Sequence, residues 1–178
     1  MRKAIILAVL VMFFAGYAIS VARMENLRAN GADVLLSLAP VDPRALLLGD
    51  YMELEYTVNR AIWSAHATAV RETDAHGAGG GDGSEGRAVV RLSPERREAD
   101  FVRLDDGLPL AADEVFLAYK VRGREVVTAA TAFYFQEGHA AAYERARFGR
   151  IKVDGDGTTL LMALCDESGV DIAPEKEQ

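Results

Sequence analysis

Two carboxylates, Asp50 and Glu137, are the side chains of this sequence that could support hydrolytic chemistry. A pair of carboxyl groups can divide the roles of acid and base between them when they lie about 5–9 Å apart. Asp50 follows a glycine at the start of an alternating segment, and Glu137 precedes a segment rich in alanine. Because sequence spacing does not set the distance between them, a hydrolase that uses Asp50 and Glu137 is an alternative hypothesis for this chain.

Other arrangements that carry chemistry are incomplete in this sequence. The stretch that ends in Gly49-Asp50 faintly resembles a signal-peptidase box, but Val41 occupies the position of the nucleophilic serine, which excludes that chemistry. His66, His76 and His139 lack the mutual spacing of metal ligands, and a preformed zinc site needs three or four converging ligands. We therefore predict no metal site, no cofactor and no assignable catalytic residue.

Two features near the C-terminus are predicted to be structural. The segment Asp154-Gly155-Asp156-Gly157 looks like the start of a calcium loop, but the twelfth position, which should be a glutamate, is Cys165. Asp-Gly between apolar runs is typical of a β-hairpin, so we predict a tight turn here. Cys165 is the single cysteine, which excludes an intrachain disulfide, and its place in an apolar strand predicts a buried, inert thiol.

The N-terminal segment has the composition of a membrane span. No charged residue occurs from Ala4 to Ala22, a length close to the ~20 residues that cross a hydrocarbon core as a helix. Arg2 and Lys3 precede this run and mildly favour a cytoplasmic N-terminus. A cleaved signal peptide is the rival interpretation, since Ser20-Val21-Ala22 supplies a small-x-small site. The apolar run is long for a cleaved peptide, so we predict an uncleaved anchor.

The charge balance limits the classes of partner. The sequence holds 20 Lys+Arg against 27 Asp+Glu, which gives a formal net charge of −7. Nucleic-acid binding needs clustered basic residues, so we expect no nucleic-acid partner. An acidic domain is repelled by anionic lipid headgroups, so we expect it to stand off the membrane rather than to lie flat on it.

Behind the anchor, the patterning predicts a mainly β domain of the α+β type, a curled sheet or small sandwich or barrel with one or two short helices. We divide the chain into an anchor with a short stalk (1–30), a β-rich extracytoplasmic domain (31–173) with a flexible glycine-rich loop (72–87), and a disordered tail (174–178). The predicted strands cover 34–38, 50–58, 87–92, 101–104, 114–121, 125–135, 150–153 and 158–164. The predicted helices cover 59–70 and 138–148.

From Tyr51 to Val58 the residues alternate strictly between an apolar and a mostly polar face, which is typical of a half-buried strand. The Gly49-Asp50 that opens this strand has two interpretations. In the first, Asp50 accepts hydrogen bonds from nearby amides and fixes a turn that leads into a core strand. In the second, this region forms a recognition groove lined by Asp42, Arg44, Asp50 and Tyr51.

The predicted helix 138–148 supplies the remaining candidates. Tyr143 and Arg147 are four residues apart and would share one face of this helix, and Glu137 would lie beside its positive N-terminal end. A solvated helix stabilised by a first-turn acid is the structural alternative. The full set of candidate binding residues is Asp42, Arg44, Asp50, Tyr51, Glu137, Tyr143 and Arg147.

The peptide from Gly49 to Tyr56 fits the pattern G-D-Y-x-x-L-x-Y at every specified position. The chain therefore resembles the GDYXXLXY family, and the resemblance extends through 40–44, 133–138, 143–149 and the last hairpin. It implies a bacterial, membrane-anchored extracytoplasmic domain of unknown activity, of a kind often encoded beside or fused to polytopic membrane proteins. The family has no established catalytic residues, so none carries over.

Taken with the anchor, the resemblance predicts a binding or accessory module on the periplasmic side of a bacterial inner membrane. The module would be single-pass and would work with a polytopic membrane protein. An envelope hydrolase using Asp50 and Glu137 is the alternative, and we favour the non-enzymatic hypothesis because no nucleophile or metal constellation is present in the sequence.

Overall fold

The computed structural model describes residues 2–39, 51–74, 83–95, 97–136 and 139–173. The helices in these ranges are α1 (Arg2–Asn30), α2 (Thr57–Asp74) and α3 (Ala140–Tyr143). The strands are β1 (Ala32–Ser37), β2 (Tyr51–Glu53), β3 (Glu85–Leu92), β4 (Ala99–Leu104), β5 (Glu114–Arg122), β6 (Glu125–Val127), β7 (Ala132–Tyr134), β8 (Phe148–Val153) and β9 (Thr159–Cys165). The predicted fold class is confirmed, since a β-rich domain with a curled sheet follows an apolar N-terminal helix.

Helix α1 is long and apolar enough to cross a membrane over Ile5–Asn30. Its large apolar side chains from Ile5 to Val21 are 49–70% exposed, because none of the described parts of the domain covers them. Leu27, by contrast, is buried at 3% exposure against the domain. The helix ends at Asn30, and a Cβ added to Gly31 would lie 2.5 Å from the Leu27 carbonyl oxygen, so only glycine allows β1 to begin at once.

The first sheet is antiparallel with strand order β1-β8-β9. Ala32 pairs with Val153, so the start of β1 and the end of β8 lie beside the end of α1. Its inner face buries an apolar cluster that includes Leu36 and Ile151 at 0% exposure. The predicted hairpin is confirmed, since Asp154 Oδ1 accepts hydrogen bonds from the Asp156 and Thr158 amides at 3.0 and 2.8 Å.

The second sheet has the order β4-β3-β5-β6, and α2 packs against β4 and β6. The predicted turn at 121–125 is confirmed as the β5–β6 hairpin, with Gly123 at a φ of 60°. The two sheets meet at Gly157, whose carbonyl accepts a 2.8 Å hydrogen bond from the Ala118 amide of β5. The β8–β9 turn therefore joins the sheets.

The predicted strand 50–58 is shorter than expected. Only Tyr51–Glu53 form β2, which pairs with β7, and α2 already begins at Thr57. The alternation of burial is confirmed, because Met52, Leu54 and Tyr56 are all 5% exposed or less. The Leu54 amide donates to the Thr131 carbonyl at 2.8 Å, so the chain stays extended up to the helix. Helix α2 is accordingly longer at both ends than the predicted 59–70.

The predicted strand 125–135 is two strands, β6 and β7, that belong to different sheets. Side-chain hydrogen bonds hold the residues between β6 and β7, where the backbone pairing of a single long strand would otherwise continue. The Thr128 hydroxyl donates to Asn59 Oδ1 at 2.7 Å, and the Tyr56 hydroxyl donates to the Ala130 carbonyl at 3.0 Å. These bonds turn the chain from the second sheet into the β2–β7 ribbon.

The predicted helix 138–148 is reduced to α3, a single turn. Beyond it the backbone joins the first sheet, because the Arg147 carbonyl accepts from the Leu38 amide and the Arg147 amide donates to the Cys165 carbonyl, both at 2.8 Å. Tyr143 and Arg147 therefore do not share a helix face.

The glycine-rich segment is predicted as a loop over 72–87, and residues 75–82 of it lie outside the described residues, as does the tail 174–178. The structure corrects both ends of that prediction, because α2 extends to Asp74 and β3 begins at Glu85. Glu85 and Gly86 belong to β3, where they pair with Lys120 and Tyr119 of β5. The Gly83 amide also donates to the Val121 carbonyl at 3.0 Å, so the second sheet extends into the predicted loop.

Candidate functional site

Four of the seven candidate residues, Asp42, Arg44, Asp50 and Glu137, lie outside the described residues. Their grouping in a groove, and the proximity of Asp50 to Glu137, stay predictions. The other three are described, and they lie in different environments.

Tyr51 opens β2 and lies on the outer face of the β2–β7 ribbon, opposite the buried Met52. It pairs across the ribbon with Tyr134, and the two ring centroids are 5.7 Å apart. Tyr51 is 43% exposed and Tyr134 is 76% exposed. The ribbon thus presents two adjacent aromatic rings to solvent, and we call them the aromatic pair.

Tyr143 lies beneath the same ribbon. It is buried, and its ring is 5.1 Å from those of both Phe133 and Phe135. This environment favours a packing role. Arg147 is exposed, and its guanidinium donates at 2.8 Å to the Ala146 carbonyl, away from the aromatic pair. The structure therefore brings neither residue to the outer face that carries Tyr51.

A cleft of about 400 Å³ opens where the motif strand runs into α2. The end of the motif forms one wall, the first two turns of α2 form the floor, and the β5–β6 hairpin forms the other wall. We call it the motif cleft, and its lining residues are Glu53, Leu54, Glu55, Asn59, Arg60, Trp63, Arg124, Glu125, Val126, Val127 and Thr131. Because Glu53 shares the outer face of β2 with Tyr51, the motif cleft and the aromatic pair flank the same strand.

The motif cleft carries charges of both signs. Glu55 and Arg60 form an exposed ion pair with an N–O distance of 3.1 Å. Arg124 and Glu125 on the β5–β6 hairpin and Glu53 on β2 make no ion pair with any residue that the structure describes. They leave one cation and two anions on different walls for a bound group.

Buried hydrogen bonds hold the walls of the motif cleft. Asn59, in the first turn of α2, accepts from the Thr128 hydroxyl behind β6. Tyr56 has its ring in the core and its hydroxyl on the Ala130 carbonyl, and burial raises the pKa of this phenol far above its ordinary value. Trp63 lies one turn further along α2, packed partly against the core. The site is therefore preformed.

Sequence reasoning missed Tyr134, Arg60, Trp63 and Arg124. A signal for Tyr134 exists in the run Phe133-Tyr134-Phe135, because alternation with two core phenylalanines places the tyrosine outside. No comparable signal exists for Trp63 and Arg124, which are far apart in sequence and meet only through the β5–β6 hairpin.

The described residues hold no group of three or more His, Cys, Asp and Glu side chains that could bind a metal ion. Cys165 is buried, and its thiol donates to Asp171 Oδ1 at 3.2 Å. Burial, with the Asp171 contact, raises the pKa of this thiol to about 11, so it is protonated at neutral pH and a poor nucleophile.

Comparison with known families matches residues 13–164 to the family described as GDYXXLXY protein. This chain belongs to the GDYXXLXY family. The match covers most of the chain, from the middle part of α1 to the penultimate residue of β9, and includes the motif strand and the ribbon. Neither the search of curated proteins nor that of solved structures finds a match.

Proposed function

We propose that this GDYXXLXY protein is a membrane-anchored extracytoplasmic binding module that recognises a polypeptide segment of a polytopic membrane protein. The proposal locates the domain on the periplasmic side of a bacterial inner membrane, with α1 retained as a signal anchor. Arg2 and Lys3 before the apolar run support this orientation. The length and exposure of the apolar face of α1 support retention.

The exposed aromatic pair beside the motif cleft is the observation that carries the proposal. Tyrosine, tryptophan and arginine dominate the binding energy of protein–protein interfaces, and they act best around a concave, well-packed centre. The surface here combines Tyr51, Tyr134, Trp63, Arg60 and Arg124 in that way. An aromatic ring that is 76% exposed gains most from burial against a partner.

The charges of the motif cleft favour an extended peptide. Arg124 can pair with an acidic side chain of such a segment, and Glu53 and Glu125 can pair with basic ones. Trp63 can receive an apolar side chain. A cleft of about 400 Å³ accommodates a few side chains rather than a domain. Recognition would therefore combine a short inserted segment with burial of the aromatic pair around it.

Hydrolysis by Asp50 and Glu137 stays the alternative prediction, and it rests on residues outside those described. The binding proposal rests on described residues, so the two hypotheses can be tested separately.

Site-specific photo-crosslinking in the native membrane tests the binding proposal. A photoreactive phenylalanine analogue placed at position 134 of the full-length protein should give an adduct with one integral membrane protein. The same analogue at Val170, which is also exposed but lies in the turn after β9, should give no adduct. Equal adducts at both positions, or no adduct at position 134 in membrane-inserted protein, would contradict the proposal.

A matched pair of arginines on one hairpin sharpens this test. Arg124→Ala should lower the adduct yield at position 134 about fivefold, since truncating an interface anchor costs more than about 1 kcal/mol. Arg122→Ala should leave the yield unchanged, because Arg122 is exposed on the same hairpin but does not line the motif cleft. An equal effect of both variants would indicate nonspecific attraction to positive charge.

A further inference from the structure

The loop between β4 and β5 carries an apolar tip. Residues 107–112, Gly-Leu-Pro-Leu-Ala-Ala, are uncharged, and Leu108 is 60% exposed. An isolated exposed leucine needs no explanation by itself. The position of this loop relative to the anchor does call for one.

Leu110 of this loop lines a crevice of about 320 Å³ together with Asn26, Leu27 and Asn30 at the end of α1. Asn26 and Asn30 lie three and seven residues beyond Arg23, the first charge after the apolar run. At 1.5 Å per residue these positions are about 5 and 10 Å along the helix axis. The headgroup layer beyond each side of the hydrocarbon core is about 5–7 Å deep. With α1 as the anchor, the crevice beside the β4–β5 loop therefore begins within the lipid headgroups and ends just beyond them.

The carboxylates that flank the tip are each paired with an arginine. Asp105 bonds to Arg87 and Asp106 bonds to Arg103, at 2.6 and 3.2 Å. The Gly107 amide and then Arg87 lower the pKa of Asp105, and the Leu108 amide likewise lowers that of Asp106. These acids stay ionised, but their charge is largely compensated.

On the other side of the tip, Asp113 pairs with Arg91 at 3.3 Å. Glu114 is buried between Arg91 and Arg103, at 3.1 Å from each. Three arginines thus offset three of the four carboxylates that flank this loop, so lipid headgroups would not repel it strongly.

We infer that the β4–β5 loop is a second membrane contact, in which Leu108 inserts into the headgroup–acyl boundary beside the anchor. The contact is limited to one loop, which fits an acidic domain that otherwise stands off the bilayer. The inference rests on α1 being retained in the membrane, and it goes beyond the binding role of the motif cleft.

The structure offers a matched control for depth measurements. Val170 is 60% exposed, like Leu108, but it lies in the turn after β9, near Cys165. Cys165 pairs with Phe148, and Phe148 pairs with Ser37 at the end of β1 that is remote from α1. A probe at Val170 therefore reports on the membrane-distal end of the same domain.

Single-cysteine variants of the full-length protein, in a Cys165→Ser background, provide the test. An environment-sensitive fluorophore is attached at Leu108→Cys, Val170→Cys or Arg23→Cys, and the protein is reconstituted in phosphatidylcholine vesicles with and without doxyl-labelled lipid. We expect quenching at positions 23 and 108 that is at least about threefold greater than at position 170.

The three positions separate the possible failures. Quenching at 23 with none above the level of 170 at position 108 would overturn the second contact and leave the anchor intact. Quenching at none of the three would overturn the anchor, and with it this inference, while leaving the motif cleft untouched. Strong quenching at 108 and 170 alike, equal to that at 23, would show that the domain lies flat on the bilayer. That result also contradicts a contact limited to one loop.

Discussion

One methyl group added at Gly157 should strongly destabilise this fold. Gly157 lies in the β8–β9 turn at a φ of 88°, a left-handed conformation that favours glycine. Its carbonyl accepts the Ala118 amide, and this bond connects the two sheets. A Cβ built on Gly157 would lie 2.7 Å from that same amide nitrogen, which belongs to the backbone of β5 and cannot rotate away.

The expected loss has two parts. Alanine in the left-handed region costs roughly 1–2 kcal/mol. Moving the turn away from β5 to relieve the contact breaks the Gly157–Ala118 hydrogen bond and leaves a half-buried amide unpaired, which costs about 1–3 kcal/mol. Gly157→Ala should therefore destabilise the protein by about 2–5 kcal/mol, a large fraction of a typical ~5–15 kcal/mol.

Thermal unfolding of the full-length protein in mild detergent, followed by the fluorescence of the single tryptophan, measures this loss. For a chain of this length each kcal/mol corresponds to about 2–4 °C, so Gly157→Ala should lower the Tm by about 4–20 °C. Gly155→Ala is the control in the same turn, because its Cβ would meet nothing within 4 Å. A Tm for Gly157→Ala within about 2 °C of the Gly155→Ala value, on the scale set by chain length, would refute the reasoning.

Two further predictions concern buried polar groups. The Ala111 amide, then Arg103 and Arg91, hold the pKa of Glu114 below its usual value, so its contribution to stability is present above the unfolded pKa and is lost as pH falls through the folded one. Glu114→Gln should accordingly melt below wild type at pH 7, and the gap should close in acid; a gap that is constant with pH would contradict this. Tyr56→Phe leaves the exposed Ala130 carbonyl without its 3.0 Å donor and should cost about 0.5–1.5 kcal/mol by chemical denaturation, whereas Tyr134→Phe on the outer face should be neutral.

Local patterns in the sequence predict the parts of this fold that local bonds hold. The β8–β9 turn follows from Asp154, whose side chain closes it by bonding amides two and four residues ahead. The burial of Met52, Leu54 and Tyr56 follows from a two-residue period that holds even after the short strand β2 ends. In each case the deciding contacts lie within a few residues or repeat at a fixed interval.

Long-range bonds decide the parts that the sequence does not predict. The break between β6 and β7 depends on Tyr56 and Asn59, which reach Ala130 and Thr128 across about seventy residues of chain. The same holds for the motif cleft, whose walls come from the motif, α2 and the β5–β6 hairpin. Local sequence propensity cannot show that Arg124 and Glu53 line the same cleft, because they come together only when the sheets assemble.

The junction between α1 and β1 has a consequence for how this protein would meet a partner. Helix and strand are separated by Gly31 alone, and Lys152 clamps them by bonding the Gly31 carbonyl at 3.2 Å and Asp33 at 2.9 Å. A domain on a flexible linker would search a hemisphere above the bilayer. This one keeps its height and tilt and is left with lateral diffusion and rotation about the membrane normal. The domain would then find a membrane partner by a two-dimensional search and would lose little orientational entropy on docking. It could dock only with partners that present their segment at the matching height above the bilayer.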